Sequence, residues 1–281
     1  MRKLFSLMLV VLGAAALVSC SKDDDDVLRD GEGVITFVTK AKSLPLQGGG
    51  GEDYLCLETF NEGEKITIDW GDGWGEEEYV SVKEEDEEGD GEEVWYEIHA
   101  KHTYTDGKSS HTVIVRGKIK DCDISYCEAT SIDATKCPAL EYLGCYFNQL
   151  TSLDVSGCTA LKYLSCDDNQ LTSLDVSKNT ALEYLSCDDN QLTSLDVSKN
   201  TTLESLNCRW NKLTSLDISK NTALHRLECY GNQFSASAMN KIYNDLPQGR
   251  VNEYGERSKL ECDKLGDYSI AKKKGWNVYA Y

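Results

Sequence analysis

Residues 160–180 read ALKYLSCDDNQLTSLDVSKNT and residues 181–201 read ALEYLSCDDNQLTSLDVSKNT, so two consecutive stretches of 21 residues differ at one position. A fixed period of this length is typical of a solenoid, in which each repeat packs only against its neighbours. The period therefore decides the fold class. The unit recurs with more variation on both sides, and its copies begin at Ile119, Leu140, Leu161, Leu182, Leu203 and Leu224.

The segment YLSC within each unit predicts a short strand. Because side chains alternate along a strand, Leu164 and Cys166 point to one face while Tyr163 and Ser165 point to the other. One repeat cannot cover its own apolar face. Stacking copies about 4.8 Å apart in a parallel sheet buries each leucine, valine and cysteine against its counterpart in the next copy.

Two further columns keep the same step, the cysteines at 145, 166, 187, 208 and 229 and the asparagines at 148, 169, 190, 211 and 232. An asparagine amide both donates and accepts, so we expect that column to satisfy the backbone at the bend after each strand. Cys127 occupies the asparagine position one period upstream. Its thiol is a weaker donor, which we expect to be acceptable in the first repeat. Neighbours on in-register parallel strands match disulfide geometry poorly, so we expect the cysteine column to pack as small apolar residues. Cys137 and Cys158 lie on adjacent rungs, and a disulfide between these two residues is an alternative.

The pattern L-x-x-L-x-C-x-x-N-x-L resembles the leucine-rich repeat, with cysteine in the third apolar place. It is most similar to the cysteine-ladder branch of the internalin-like surface proteins. The resemblance covers roughly Ile119 to Asn232 and implies a parallel sheet whose concave face serves adhesion or recognition of a host protein.

The first twenty residues, MRKLFSLMLVVLGAAALVSC, have a basic start, a short apolar run and a cysteine preceded by small residues. This arrangement resembles the lipobox of bacterial lipoproteins, which implies cleavage before Cys20 and lipidation of that cysteine. The following SKDDDD is similar to a tag for the outer face of the outer membrane, although a solvated linker is the alternative. A plain secretory signal peptide and a retained transmembrane anchor are the two alternatives for this segment. We expect the lipid to be the membrane contact.

Residues 31–118 contain four strand-like stretches, GVITFVTK, KITIDWGDG, VWYEIHAKHTY and HTVIVRG, which predict a small β-sandwich. The WGDG turn and the later HTY resemble a PKD-like, immunoglobulin-type module. Asp69 and Asp72 are spaced to shape a turn. The acidic insert that begins at Lys83 is expected to be a solvated hairpin tip, with a calcium loop as the alternative.

The predicted fold is mainly β, a PKD-like sandwich followed by a leucine-rich-repeat solenoid and a short helical cap. We divide the chain into a signal peptide (1–19), an acidic linker (20–30), the sandwich (31–118), the repeats (119–233) and the cap (234–281). In the cap, Met239, Ile242 and Leu246 share one helical face, Ser235 is a candidate N-cap, and Pro247 ends the helix.

The composition excludes one class of partner. The net charge is -19 and no basic stripe is present, so we expect no nucleic-acid ligand. The sequence also lacks the common nucleophile, phosphate-binding and zinc-protease motifs, and we expect no catalytic residue, cofactor or metal site. Calcium binding by the paired aspartates and a secreted hydrolase are the alternatives.

The candidate site consists of positions that vary from repeat to repeat on the open strand face, because the residues that recur in every repeat are needed for the fold. Exposed tyrosine, tryptophan and arginine beside polar groups are typical of binding surfaces, although a tyrosine ladder can also only stabilise the sheet. The ligand is predicted to be a protein, with a glycan as the alternative. The candidate residues are Tyr142, Tyr146, Tyr163, Asp167, Tyr184, Asp188, Arg209, Trp210, Arg226 and Tyr230.

Overall fold

A computed structural model describes residues 32–44, 55–85, 94–251, 255 and 257–281. The signal peptide, the linker, the candidate lipidation site Cys20 and residues 86–93 of the acidic insert lie outside the described residues. The described chain forms a sheet of 11 strands, a sheet of 5 strands and one two-stranded pair.

The two helices are α1 (Ala236–Asp245) and α2 (Ser269–Lys273). The strands of the N-terminal part are β1 (Gly33–Thr39), β2 (Ser43–Leu44), β3 (Leu55–Glu58), β4 (Lys65–Asp69), β5 (Glu76–Val80), β6 (Val82–Glu85), β7 (Val94–Ala100), β8 (His102–Thr103) and β9 (His111–Gly117). The strands that follow are β10 (Asp121–Asp123), β11 (Ala129–Lys136), β12 (Tyr142–Gly144), β13 (Tyr163–Ser165), β14 (Tyr184–Ser186), β15 (Ser205–Asn207), β16 (Arg226–Glu228), β17 (Lys259–Cys262) and β18 (Asn277–Ala280).

The repeats form the predicted solenoid. Strands β10 and β12 to β18 pair in parallel, and from β10 to β16 each rung pairs at the predicted 21-residue step, with Leu143 opposite Leu164 and Leu164 opposite Leu185. The last two strands come from the C-terminal segment and extend the same sheet. The mainly β solenoid architecture is therefore confirmed.

The cysteine column packs inside this solenoid. Cys145, Cys166, Cys187, Cys208 and Cys229 are buried, and no disulfide joins the eleven cysteines of the described residues. Burial raises the pKa of Cys208 to about 12 and raises the pKa of the other four thiols as well. The expectation of core packing is confirmed, and each thiol stays protonated at neutral pH.

The first asparagine column satisfies the backbone as expected. In Asn190, Oδ1 accepts from the Leu171 N–H at 2.9 Å, and Nδ2 donates to the carbonyls of Cys166, Cys187 and Asp188 at 3.0, 3.3 and 3.0 Å. The amide therefore joins two neighbouring rungs. At the first rung Cys127 Sγ donates to the Ser125 carbonyl at 3.4 Å, as expected of a weaker donor in the same place.

A second asparagine column runs through the core, and sequence reasoning assigned it no role. Asn200 Nδ2 donates to the carbonyls of Val176 and Asn179 at 3.0 and 2.8 Å, and Asn179 and Asn221 repeat the arrangement. The column begins with Cys137 and Cys158, which are buried and form no disulfide. The fixed asparagine of each DVSKN segment was the signal for this column.

Both faces of the solenoid continue into the N-terminal sandwich. On one side β10 pairs antiparallel with β3, which pairs with β7. On the other side β11 pairs antiparallel with β1, while Asp133, Asp154 and Asp175 form bridges from rung to rung. One apolar core runs through both parts. Two sheets contain strands from both sides of the expected boundary after residue 118. The domain boundaries remain a prediction.

The four predicted strand stretches of the sandwich correspond to β1, β4, β7 with β8, and β9, whereas β3, β5 and β6 were not predicted. Asp69 and Asp72 shape the WGDG turn as expected, because their carboxylates accept from the N–H groups of Gly71 and Trp74 at 2.9 Å each. His102 stacks on buried Trp70 with ring centroids 4.9 Å apart. The PKD-like assignment of this sandwich remains a prediction.

The C-terminal segment covers the last repeat. Ser235 caps α1, since its side chain accepts from the Ala238 N–H, and Met239, Ile242 and Tyr243 are buried. Trp276 Nε1 donates to the Pro247 carbonyl at 2.8 Å and so ties the two ends of the segment together. The predicted helical cap is present, and β17 and β18 lie in the same segment.

Candidate functional site

The outward side chains of β10 and β12 to β18, together with those of the turn that follows each strand, form one surface, which we call the open face. Its first column, ordered by register, contains Asp121, Tyr142, Tyr163, Tyr184, Ser205, Arg226, Lys259 and Asn277. Tyrosine therefore fills three consecutive rungs and gives way to a serine and then to two cations. The face has an aromatic part and a cationic part along its length.

The three tyrosines lie on adjacent rungs, as their spacing predicts. Tyr163 is 43% exposed, whereas Tyr142 and Tyr184 are half-buried. The rings of Tyr163 and Tyr184 lie 6.5 Å apart between centroids. Burial, followed by the charge of Asp123, raises the pKa of Tyr142. The column supports the sheet and still presents aromatic surface to solvent.

An ionic network occupies the rungs beyond the tyrosines. Arg209 Nε donates to Asp188 Oδ2 at 3.0 Å, and Arg209 Nη1 lies 3.3 Å from Glu228 Oε2. Asp188 also accepts from Ser186 Oγ at 2.6 Å and is only 2% exposed. Asp188 therefore fixes Arg209 rather than facing solvent, whereas Arg209 and Asp167 are half-buried at the surface.

The third residue after each strand adopts a left-handed backbone on six successive rungs. These residues are Tyr126, Phe147, Asp168, Asp189, Trp210 and Gly231, with φ of 56°, 51°, 51°, 49°, 51° and 71°. A side chain in this conformation costs about 1 to 2 kcal/mol, and glycine avoids the cost. Gly231 at the equivalent place was the sequence signal for this column. Five rungs nevertheless carry side chains there, which points to a use for them.

The aromatic members of this column belong to two clusters on the open face. Phe147 stacks on Tyr126 with centroids 4.8 Å apart, and Tyr146 meets both rings edge-on. Three rungs away, Trp210 and Tyr230 meet edge to face at 5.8 Å. Tyr230 also contacts Tyr281 at 4.8 Å. Tyr126, Phe147 and Tyr281 were not among the predicted site residues.

Trp210 is held in place by its neighbours and remains 52% exposed. A β-carbon at Gly231 would lie 2.6 Å from the Trp210 ring, so the ring packs directly over that glycine. Asp168 and Asp189 fill the two rungs between the aromatic clusters. Burial is the first cause that raises the pKa of both carboxyls, and neighbouring aspartates add to it.

The end of the open face beside the sandwich carries a pair of carboxyls. Asp121 is the cross-strand partner of Glu58, and Lys120 Nζ lies 3.1 Å from Glu58 Oε2. Burial, followed by the hydrogen bond and charge of Glu58, raises the pKa of Asp121 to about 7. This end of the face is therefore less negative at neutral pH than its residue types indicate.

The left-handed column gives a stability prediction. We expect Asp189→Gly to be more stable than Asp189→Ala by about 1 kcal/mol, because only alanine keeps the cost of a β-carbon at φ 49°. The measurement is the free energy of unfolding in urea. The same pair of changes at exposed Thr193, which is not among the positive-φ residues, should favour alanine. A preference for alanine at both positions would contradict the assignment of strain.

Comparisons with known proteins agree with this geometry. Residues 138–179 match a family model described as leucine-rich repeats in two copies. The chain carries leucine-rich repeats. No curated protein matches it. Internalin InlF of Listeria monocytogenes superimposes with a TM-score of 0.50 at 20% identity over 58% of this chain and 48% of its own, which supports the fold.

Two further structures share higher identity over shorter stretches. The functional domain of InlJ from Listeria monocytogenes, whose description includes a cysteine ladder, has 28% identity, a TM-score of 0.39 and coverage of 56% of this chain and 38% of its own. A leucine-rich-repeat protein of Leptospira interrogans has 27% identity, a TM-score of 0.45 and coverage of 46% and 36%. The alignments thus span less than half of each of these three proteins.

Neither a cluster of metal ligands nor a membrane-spanning helix is found in the part of the chain that the structure describes. Within it, no three His, Cys, Asp or Glu side chains group so that they could hold a metal ion. Neither described helix has the length and apolar character required to cross a bilayer. The open face of the leucine-rich repeats is therefore the candidate functional site.

Proposed function

We propose that this protein binds a protein ligand through the open face of its leucine-rich-repeat solenoid, in adhesion or partner recognition. The observation that carries the proposal is the left-handed column, because five successive rungs keep side chains where glycine would relieve strain. Solenoids of this kind use an extended sheet as a binding surface, and we propose a role in binding rather than catalysis.

The composition of the face favours a protein ligand. Tyrosine, tryptophan and arginine are the residues that contribute most to protein interfaces, and all three lie on this face beside half-buried polar groups. The two aromatic clusters are three rungs apart, or about 14 Å at the usual strand spacing. That separation suits a folded partner that contacts both clusters at once, since stable interfaces bury about 800 Å² on each side.

The test is a screen of the purified protein against extracellular proteins and glycans, followed by variants of the face. We expect the triple change Tyr163→Ala, Tyr184→Ala and Trp210→Ala to weaken binding of the captured protein at least about 100-fold, since interface anchors contribute about 2 kcal/mol or more each. Trp74→Ala is the matched control, because Trp74 is 88% exposed but lies on the sandwich. Binding that survives the triple change, with unfolding unaltered, would refute the open-face proposal.

A glycan ligand is the second candidate, and one observation favours it. Trp210 and Phe147 are exposed aromatics on either side of Asp168 and Asp189, and sugar rings stack on such aromatics while carboxylates accept from hydroxyl groups. In the same screen, capture of a neutral oligosaccharide that depends on Trp210 would support this candidate. A hydrolase is the alternative of another class, and turnover of a polysaccharide or peptide that is lost on changing one acidic pair would support it.

We further propose that the mature chain begins at Cys20 and is held to the outer membrane of a bacterium by lipid on that residue, with the repeats at the cell surface. The motif LVSC and the acidic run after it support this proposal. Cys20→Ala should move most of the protein from the membrane pellet to the soluble fraction. Unchanged pelleting would refute lipid anchoring, and Cys56→Ala serves as the control for loss of a cysteine.

A further inference from the structure

The cationic end of the open face contains a cleft of 690 Å³ that is open to solvent. Ser205 contributes to its lining and lies in register between Tyr184 and Arg226, at the place where three preceding rungs carry tyrosine. The cleft therefore coincides with a tyrosine column interrupted by a small side chain. We call it the Ser205 cleft. Tyr184 and Arg226 also line it, together with His225, Gly255, Arg257, Lys259, Asn277 and Tyr279.

The described lining of this cleft is cationic, although the protein as a whole is acidic. The net charge of the chain is -19, yet the described lining residues include three cations, Arg226, Arg257 and Lys259, and no acidic side chain. Such a local concentration of positive charge attracts anionic groups, and low-dielectric walls strengthen the attraction.

Two of these cations are held in position by carboxylates in the neighbouring column. Arg226 uses Nε and Nη2 on one oxygen of Glu228, at 2.8 and 2.5 Å, and Lys259 Nζ lies 2.5 Å from Glu261 Oε1. Glu228 and Glu261 are almost fully buried, whereas the two cations remain partly exposed. The ion pairs thus orient the cations and leave Arg226 Nη1 without a partner among the described residues.

The remaining polar groups of the cleft are also available. Arg257 forms no ion pair within the described part of the chain. His225 Nδ1 lies 2.7 Å from the backbone carbonyl of Glu204, so Nδ1 carries the hydrogen of that bond and Nε2 is left for a ligand. Tyr184 and Tyr279 add aromatic surface, and Lys259 Nζ lies 5.6 Å from the Tyr279 ring centroid.

We infer that the Ser205 cleft binds a carboxylate side chain from an acidic segment of the protein ligand. The inference rests on the proposed function and names the chemistry of the partner at this end of the face. Arg226 and Lys259 lie on adjacent rungs, and rungs of a sheet are about 4.8 Å apart. Their guanidinium and ammonium groups can therefore share one carboxylate. The methylene groups of a glutamate, or an apolar neighbour of it, would pack on Tyr184, whose column continues along the face.

The probe is a fluorescein-labelled peptide of alternating glutamate and leucine, and its matched control carries glutamine in place of glutamate. We expect the full-length protein to bind the glutamate peptide about tenfold or more tightly than the glutamine peptide in fluorescence anisotropy. Raising the ionic strength should weaken that binding because salt screens exposed charges. Equal binding of the two peptides, or no binding of the glutamate peptide, would overturn the inference.

Ser205→Tyr is the decisive variant, because it fills the cleft with the residue that neighbouring rungs already carry. We expect it to weaken binding of the glutamate peptide about tenfold or more while the unfolding midpoint stays close to that of the parent. The double change Arg226→Gln with Glu228→Gln removes the cation without leaving a buried carboxylate unpaired, and it should have a similar effect. Lys162→Gln is the matched control, since it removes a positive charge from another rung.

The failure of this inference is distinguishable from failure of the proposed function. If Ser205→Tyr leaves peptide binding unchanged while the triple change at Tyr163, Tyr184 and Trp210 abolishes capture of the protein ligand, only the cleft assignment is wrong. If the triple change has no effect on the protein ligand, the open-face proposal is wrong. Tighter binding of an oligogalacturonate than of the glutamate peptide, lost in Ser205→Tyr, would replace the peptide by an acidic glycan and overturn the inference.

Discussion

Asn190→Ala is expected to lower the free energy of unfolding by about 2 kcal/mol or more, although the change removes only a small polar group. The Asn190 amide makes four contacts with backbone groups, at 2.9 to 3.3 Å, that belong to two adjacent rungs. Without it, the buried Leu171 N–H loses its acceptor, whereas the carbonyls of Cys166, Cys187 and Asp188 each keep one other donor. Each unsatisfied buried group costs about 1 to 3 kcal/mol.

The measurement is urea unfolding followed by circular dichroism. Gln191→Ala is the matched control, because Gln191 is the next residue along the chain and is exposed. Asn190→Asp keeps an acceptor for the Leu171 N–H but turns a carboxylate oxygen toward three backbone carbonyls, and that repulsion should make its cost at least as large as that of alanine. A loss below about 1 kcal/mol for Asn190→Ala would contradict the role assigned to the column.

Removal of the sandwich is expected to abolish cooperative folding of the repeats. A chain of residues 119–281 loses the β3 partner of β10 and the β1 partner of β11. Buried side chains at the first rung, such as Cys122 and Ile124, would then face water. Solenoids need covered ends, and an exposed strand edge promotes aggregation.

The measurement is thermal unfolding by circular dichroism together with size-exclusion chromatography. A chain that begins at Glu32 is the control, because it keeps every described strand. Leu57→Ala provides a finer test in the intact chain, since Leu57 is fully buried on β3 opposite Cys122, and it should cost about 3 kcal/mol within a single transition. A repeat fragment that melts cooperatively near the midpoint of the control would refute the shared-core argument.

The period of the sequence was sufficient to predict the solenoid, the register and the burial of the cysteine column, because identical rungs can stack in only one in-register way. The link between sandwich and solenoid was not predictable. The strand β3 does not belong to any repeat, and its pairing with β10 joins residues more than sixty positions apart in the chain. Long-range pairing of this kind leaves no local pattern.

The candidate site was predicted in part. The tyrosine column follows from the alternation of faces along a strand, and Tyr163 is exposed as expected. The burial of Asp188 was not predicted, because it depends on Ser186 and on Arg209 from the next rung. The Ser205 cleft was also missed. A serine in a tyrosine column is visible in the sequence, but a cleft also requires Arg257 and Tyr279 from the C-terminal segment.

The near identity of residues 160–180 and 181–201 also bears on how this protein can change over generations. Gain or loss of one such unit would add or remove a whole rung without altering the pairing of the others. Each event moves the Phe147 cluster and the Trp210 cluster apart or together by one fixed increment of about 4.8 Å. The span of the recognition surface can therefore be reset in discrete jumps, while the aromatic groups at its two ends are inherited unchanged.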